Sequence, residues 1–274
     1  MVVVQESSGV LPYLTLLHDF VNNHRLIKEK MSNYVTEHYR NLSYNFDKLW
    51  SYSPQFIMTL SRDICDRLQA KASDRIVDLG GGTGLYTKAI EDLLTPDCKI
   101  VCVDPSQEML DRVNCNRIET ICQDAISFTE ESGNYNKVFM KEAIHHIAEK
   151  DKLLENLYRQ LPKGGIFLLI LLPPTIEYPL FASALKFYEE NQPDYRDLVM
   201  QMEKIGFNVT VDLVGYPLAI ERDRYLQMVK MRYISLLSRF SDAELGQGIE
   251  EMKSKYTENI LRFNDRFVFL TARK

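Results

Sequence analysis

Short apolar runs alternating with amphipathic stretches dominate the chain from Arg75 onward. Arg75–Leu79, Lys99–Asp104, Ile118–Cys122, Lys137–Lys141 and Gly165–Leu172 have the length and aliphatic content of strands. Between them, Leu85–Leu94, Ser106–Val113 and Glu149–Leu161 carry apolar residues at helical spacing. Strands separated by helices predict right-handed βαβ units and a parallel sheet covered on both faces. The unbroken apolar character of IVCV and IFLLILL agrees, because strands buried on both sides need no polar alternation.

The flanks read differently. Residues 10–72 have a helical pattern, and Ser53-Pro54 form an N-cap and first-turn pair opening a helix to about Ala70. Tyr178–Ile205 reads as helical, Phe207–Ile220 as one long or broken strand, and Arg222–Ser238 and Asp242–Tyr256 as two more helices. Ser241 and Glu244 have capping-box spacing, and Asp265–Ala272 reads as the last strand. The expected organisation is an N-terminal helical lid over residues 1–72, and a core over 73–274 with a helical cap insertion at about 221–258.

Composition narrows the partners. Lys and Arg number 33 against 38 Asp and Glu, and this mildly acidic balance predicts no nucleic-acid binding. The longest apolar run, Ile166 to Leu172, is far short of the ~20 residues a membrane-spanning helix needs. MVVVQESSGV lacks a basic stretch followed by an unbroken apolar one, so no secretory signal is expected. The five cysteines form no CxxC pair, which fits a reduced, cytoplasmic chain better than a disulfide scaffold or a zinc site.

Asp78-Leu79-Gly80-Gly81-Gly82-Thr83-Gly84 lies between the first strand and its helix, where glycines let a ligand approach the backbone. The dinucleotide pattern G-x-G-x-x-G fails, because counting from Gly80 its third glycine would be Leu85, and no Gly-Lys-Ser/Thr follows to make a P-loop. What remains, D-x-G-x-G-x-G, resembles motif I of the class I S-adenosylmethionine-dependent methyltransferases. Asp104-Pro105 after the second strand, Gln123-Asp124-Ala125 after the third and Leu161-Pro162-Lys163-Gly164-Gly165 before the fifth resemble later motifs of that family, in order.

The resemblance implies an α/β Rossmann-like fold: a seven-stranded, mostly parallel sheet with helices on both faces, an antiparallel last strand and a helical cap. It implies S-adenosylmethionine as cofactor and S-adenosylhomocysteine as product. Gly80, Gly82 and Gly84 would line the cofactor, with Asp78 ordering the loop or meeting the methionine amino group. Asp104 and Pro105 would stand at the ribose, Met109 against the adenine, and Asp124 and Ala125 at its exocyclic amine. Each has a plainer reading too: Asp104 as a helix N-cap, Asp124 as a turn residue, Met109 as core.

The loop after the fourth strand, from Glu142 to His146, should face the methyl donor. His145 and His146 are the candidate bases, since histidine titrates near neutrality; otherwise they bond a carbonyl or cap a helix. A zinc pair is disfavoured, so no metal is expected. Tyr225, Met228, Arg232 and Leu236 share one helical face, where Arg232 could hold an acceptor's carboxylate or phosphate, or snorkel. Tyr39, Phe46 and Tyr52 could meet the sulfonium or acceptor by cation–π contact, or simply pack.

The expected activity is methylation of a small-molecule acceptor at oxygen or nitrogen by a monomer or homodimer. The rivals are C-methylation of an isoprenoid or other carbon nucleophile, a binding protein on this fold without transfer activity, and a cyclase on the same scaffold.

Overall fold

In the computed structural model, residues 52–131 and 133–274 are described. The lid expected over 1–72 therefore lies mostly outside them, as do Tyr39 and Phe46. The elements are α1 (Pro54–Leu68), β1 (Ile76–Leu79), α2 (Leu85–Leu94), β2 (Ile100–Asp104), α3 (Gln107–Leu110), β3 (Ile118–Cys122), α4 (Ala125–Glu130) and β4 (Lys137–Lys141). A 3-10 turn (Ile144–His146) leads to α5 (Lys150–Gln160), β5 (Ile166–Leu171), α6 (Ala182–Asn191), α7 (Tyr195–Ile205) and β6 (Asn208–Glu221). Then come α8 (Arg222–Lys230), a second 3-10 turn (Ser235–Arg239), α9 (Asp242–Lys255) and β7 (Ile260–Arg273).

The strands form one seven-stranded sheet in the order β3-β2-β1-β4-β5-β7-β6. The first five are mutually parallel, and β7 runs antiparallel to both β5 and β6. Every residue of β1 and β5 is buried, as strands covered on two faces require. On one face Leu60 and Ile64 of α1 and Ile90 of α2 pack against the sheet; on the other, Leu153 and Leu157 of α5 and Met202 of α7 do so. The Ser53 hydroxyl accepts from the Phe56 amide at 3.1 Å, and the Ser241–Glu244 capping box is formed.

Several boundaries differ from the sequence reading. The helical stretch expected over 178–205 is two helices, because Pro193 cannot donate and disfavours helical backbone at Gln192. Asp194 then caps α7 by accepting from the Arg196 amide. β6 runs unbroken through Pro217, which an edge strand tolerates. The helix expected over 222–238 ends at Lys230, and β7 begins at Ile260 instead of Asp265.

That longer β7 shapes the molecule. Its partner on β5 at Val268 is Leu171, the last residue of that strand. Residues 260–267, paired with 214–221, therefore overhang the carboxyl ends of the parallel strands by about 26 Å at ~3.3 Å per residue. The ribbon carries α8 and α9, whose apolar faces form a separate core with Tyr178, Phe181, Tyr225, Met228 and Leu245. Among the described residues no helix is long and apolar enough to cross a membrane.

Candidate active site

The glycine loop is fastened to β2. The amides of Gly80 and Gly81 both donate to the Val103 carbonyl, at 2.7 and 3.0 Å. This fold-back places Gly80 at φ +82°, Gly82 at +56° and Gly84 at +72°, where a side chain is strained. A Cβ on Gly80 would stand 2.7 Å from the Ala143 Cβ, so the loop and the turn after β4 are in close contact. A Cβ on Gly84 would meet Val113 at 2.9 Å, whereas one on Gly82 would meet nothing within 4 Å. Gly82 therefore borders open space.

Asp104 stands beside that space. Its Oδ2 accepts from the Gly82 amide and its Oδ1 from the Ser106 amide, both at 2.9 Å. Burial pushes its carboxyl above the usual carboxylate range, and the two amide donors pull the other way. Ser106 caps α3, which turns Met109 into the interior; Pro105 is exposed. Asp78 is buried at the end of β1 and accepts from the Thr87 hydroxyl. Burial pushes its carboxyl up to about 7, with Thr87 and Lys141 only partly offsetting this.

Asp124 occupies the plainer of its two positions. It caps α4, with Oδ1 accepting from the amides of Ile126 and Ser127 at 3.0 Å and Oδ2 from the Ser127 hydroxyl. Burial acts upward on it, but these donors prevail and hold it below the usual carboxylate range. It remains close to Asp104, whose carbonyl accepts from the Gln123 amide at 3.2 Å.

At the end of β4, Glu142 has φ +52°, a conformation costly for a residue with a side chain. Its amide donates to the Ile170 carbonyl at 2.8 Å, and its carboxylate pairs with Lys141. The Lys141 ammonium lies 5.0 Å from the Tyr86 ring centre and 4.7 Å from that of Phe267. His145 and His146 follow in the 3-10 turn with ring centres 3.9 Å apart. His145 is half-buried, and burial together with Lys150 lowers it to about 4. Among the described residues no group of three or more His, Cys, Asp or Glu is placed to hold a metal ion.

Arg232 requires a correction. It lies past the end of α8 at φ +55° and shares no helical face with Tyr225 and Met228. Its guanidinium donates to the Phe240 carbonyl at 2.8 Å and to the Asp242 carboxylate at 3.0 Å. It fastens the loop between α8 and α9. Tyr52 packs face to face on Phe56 at 3.9 Å and donates to Asp265.

Asp265 is a buried acid of the cap that the sequence pattern does not single out. It is fully buried on the overhanging part of β7 and accepts from the hydroxyls of Tyr52 and Tyr178, the latter at 2.6 Å. A narrow pocket beside it is lined by Tyr52, Tyr178, Tyr225, Tyr233, Met228 and Phe263, among others. The available signal was an acid inside the aromatic run from Phe263 to Phe269, which the sequence reading treated as a strand start.

Residues 76–165 match the family model described as a methyltransferase domain. Over 125 residues the chain is 30% identical to the ubiquinone/menaquinone biosynthesis C-methyltransferase UbiE of Hydrogenovibrio crunogenus, covering 42% of this chain and 48% of that protein. The chain thus spans about half the length of that relative. In fold it is similar to Haemonchus contortus phosphoethanolamine N-methyltransferase 2, with TM-score 0.52 and 21% identity over 79% of this chain and 52% of that one. It is likewise similar to a SAM-dependent methyltransferase from Archaeoglobus fulgidus, with TM-score 0.55 and 15% identity over 84% of this chain and 99% of that one.

Proposed function

We propose that this chain, which carries a class I S-adenosylmethionine-dependent methyltransferase domain, transfers a methyl group from that cofactor to an oxygen or nitrogen of a small-molecule acceptor. One observation carries the reading. The glycine loop with Asp104 and the pocket of the cap both lie over the carboxyl ends of the parallel strands, where open α/β sheets bind ligands.

In this reading Asp104, already aligned by Gly82 and Ser106, takes the ribose hydroxyls through its remaining lone pairs. The open face of Gly82 admits the cofactor, Met109 supports the adenine, and Asp124 with Ala125 borders it. Asp78 supplies a buried carboxylate for the amino group of the methionine portion. When bound, S-adenosylmethionine offers an electrophilic methyl group on a sulfonium and leaves as neutral S-adenosylhomocysteine.

The chain's own work is alignment, exclusion of water and control of one proton. Alignment can supply ~7–11 kcal/mol of the barrier. Ala143, close against Gly80, and Glu142, tied through its amide to Ile170, fix where His145 stands. His145 is neutral at physiological pH, so it accepts a hydrogen bond from the acceptor and orients it. Its lowered basicity argues against full proton abstraction by this group.

C-methylation is the second reading. It is favoured by the apolar part of the pocket, with Leu218, Ile220, Met228 and Phe263, and by the C-methyltransferase relative. Transfer of labelled methyl from S-adenosylmethionine into fractionated small-molecule extract separates the two. A product whose fragmentation places the label on oxygen or nitrogen supports the first reading; label on carbon selects the second. Label found only in protein or nucleic acid contradicts both.

A further inference from the structure

β6 closes one side of the sheet, and its backbone shows which residues face outward. The Arg222 amide donates to the Asn259 carbonyl at 2.9 Å, one step beyond the last β6–β7 pair, Glu221 with Ile260. In an antiparallel ladder the N–H and C=O of one residue point the same way, and the direction alternates along the strand. Even-numbered residues of β6 therefore bond to β7. Odd-numbered ones turn their N–H and C=O groups outward, where among the described residues no further strand lies. Pro217 falls in the outward set, where a missing N–H costs no bond to β7.

The outward set is Val209, Val211, Leu213, Gly215, Pro217 and Ala219, apolar or glycine throughout. Leu213 is 58% exposed, and Val211 is exposed as well. Edge strands are ordinarily shielded from further pairing by lysines, bulges, prolines or short length. Pro217 apart, β6 has none of these: its 14 residues pair one for one with β7, and it holds no Lys or Arg. Its acids are Asp212, held by Arg67 at 3.3 Å, and Glu221 at its end. The half from Val214 onward also belongs to the overhang, where the sheet is two strands wide. A two-stranded ribbon gains most from a third strand.

We propose that β6 is the interface with a second copy of this chain, the two strands pairing antiparallel about a two-fold axis at Val214. In that register Leu213 stands opposite the partner's Gly215, Val211 opposite the partner's Pro217 and Val209 opposite the partner's Ala219. A Cβ on Gly215 would meet only Arg266 and Asn264, both at 3.9 Å, so the glycine leaves a notch. The partner's Leu213 covers it, and the two-fold repeats the fit. Asp212 faces the partner's Tyr216, and the two copies of Asp212 stand about 13 Å apart along the strands, so no like charges meet. The overhanging half of each β6 lies on the sheet-backed half of the other, which gives each ribbon its third strand. The strand is thus its own complement, and this selects a second copy over an unrelated protein.

Analytical sedimentation of the full chain at micromolar concentration should give twice the mass of one chain. Leu213→Lys changes an exposed side chain and sets two ammoniums diagonally across the two-fold. It should weaken association at least about tenfold with an unchanged circular dichroism spectrum. Crosslinking reads the register, in a Cys98→Ser/Cys122→Ser background that removes the exposed thiols. Val214→Cys places two thiols at directly opposed, non-hydrogen-bonded positions with Cα atoms about 4.5 Å apart, within disulfide reach. Val211→Cys places them about 20 Å apart along the strands. Mild oxidation should join Val214→Cys into a covalent dimer on a denaturing gel and leave Val211→Cys as single chains. A wild type that sediments as a monomer, or a dimer untouched by Leu213→Lys, would overturn the proposal. So would a Val214→Cys protein that does not crosslink, or a Val211→Cys protein that crosslinks as readily.

Discussion

The amide of Gly82 donates to Oδ2 of Asp104 at 2.9 Å, joining two residues 22 positions apart at the ends of neighbouring strands. This bond makes the loop and the acid one unit. The carboxylate helps set the loop's conformation, and the loop aims the carboxylate.

Gly80 and Gly82 should respond differently to the same substitution. Gly80→Ala places a methyl 2.7 Å from Ala143 at φ +82° and should cost about 1–3 kcal/mol of stability. Gly82→Ala meets open space at φ +56° and should cost about 1 kcal/mol, yet its methyl enters the cofactor's volume. Denaturant unfolding paired with cofactor titration checks this. Gly80→Ala should shift the midpoint more, and Gly82→Ala should lose more affinity than stability.

Asp78 gives the fold a pH dependence of known sign. Its carboxyl titrates near 7 in the folded chain against an ordinary 3.8, so the folded state keeps a proton that the unfolded state releases. That contribution destabilises increasingly as pH rises from about 4 to 7, by up to on the order of 4 kcal/mol. Asp78→Asn should equal the wild type near pH 4 and exceed it in stability at pH 8, by urea unfolding at the two pH values. A variant less stable than the wild type at pH 8 would contradict this assignment.

His145 predicts a flat profile. Because burial and Lys150 lower it to about 4, it is neutral throughout pH 6–8 and gains charge only below about 5. The rate of methyl transfer should show no inflection from this residue between pH 6 and 8. His145→Asn, which still hydrogen-bonds, should stay within about tenfold of the wild-type rate, whereas losing a true general base costs ~10²–10⁴-fold.

Much of this was legible in the sequence because apolar periodicity reports burial. IVCV and IFLLILL identify β2 and β5, and glycine spacing after β1 distinguishes the loop from dinucleotide and P-loop patterns. Asp104 follows from its place after β2. Asp265 was hidden because its partners, Tyr52 and Tyr178, lie 213 and 87 residues away, and no local pattern reveals a buried acid held from such distances. Arg232 was misplaced because helical spacing assumes an unbroken helix, and α8 ends at Lys230. Asp124 shows a third case: one carboxylate suits a cap and a ligand contact equally, and spacing does not separate them.

The most direct test of the account is calorimetric titration of S-adenosylmethionine into the wild type and Asp104→Ala. The substitution orphans the amides of Gly82 and Ser106 as well as removing the ribose contact, so affinity should fall at least about 100-fold while the circular dichroism spectrum is retained. Wild-type binding with one site per chain, lost in the variant, is the predicted result. Equal affinity in the two proteins, or none in the wild type, would contradict the assignment of this loop to the cofactor.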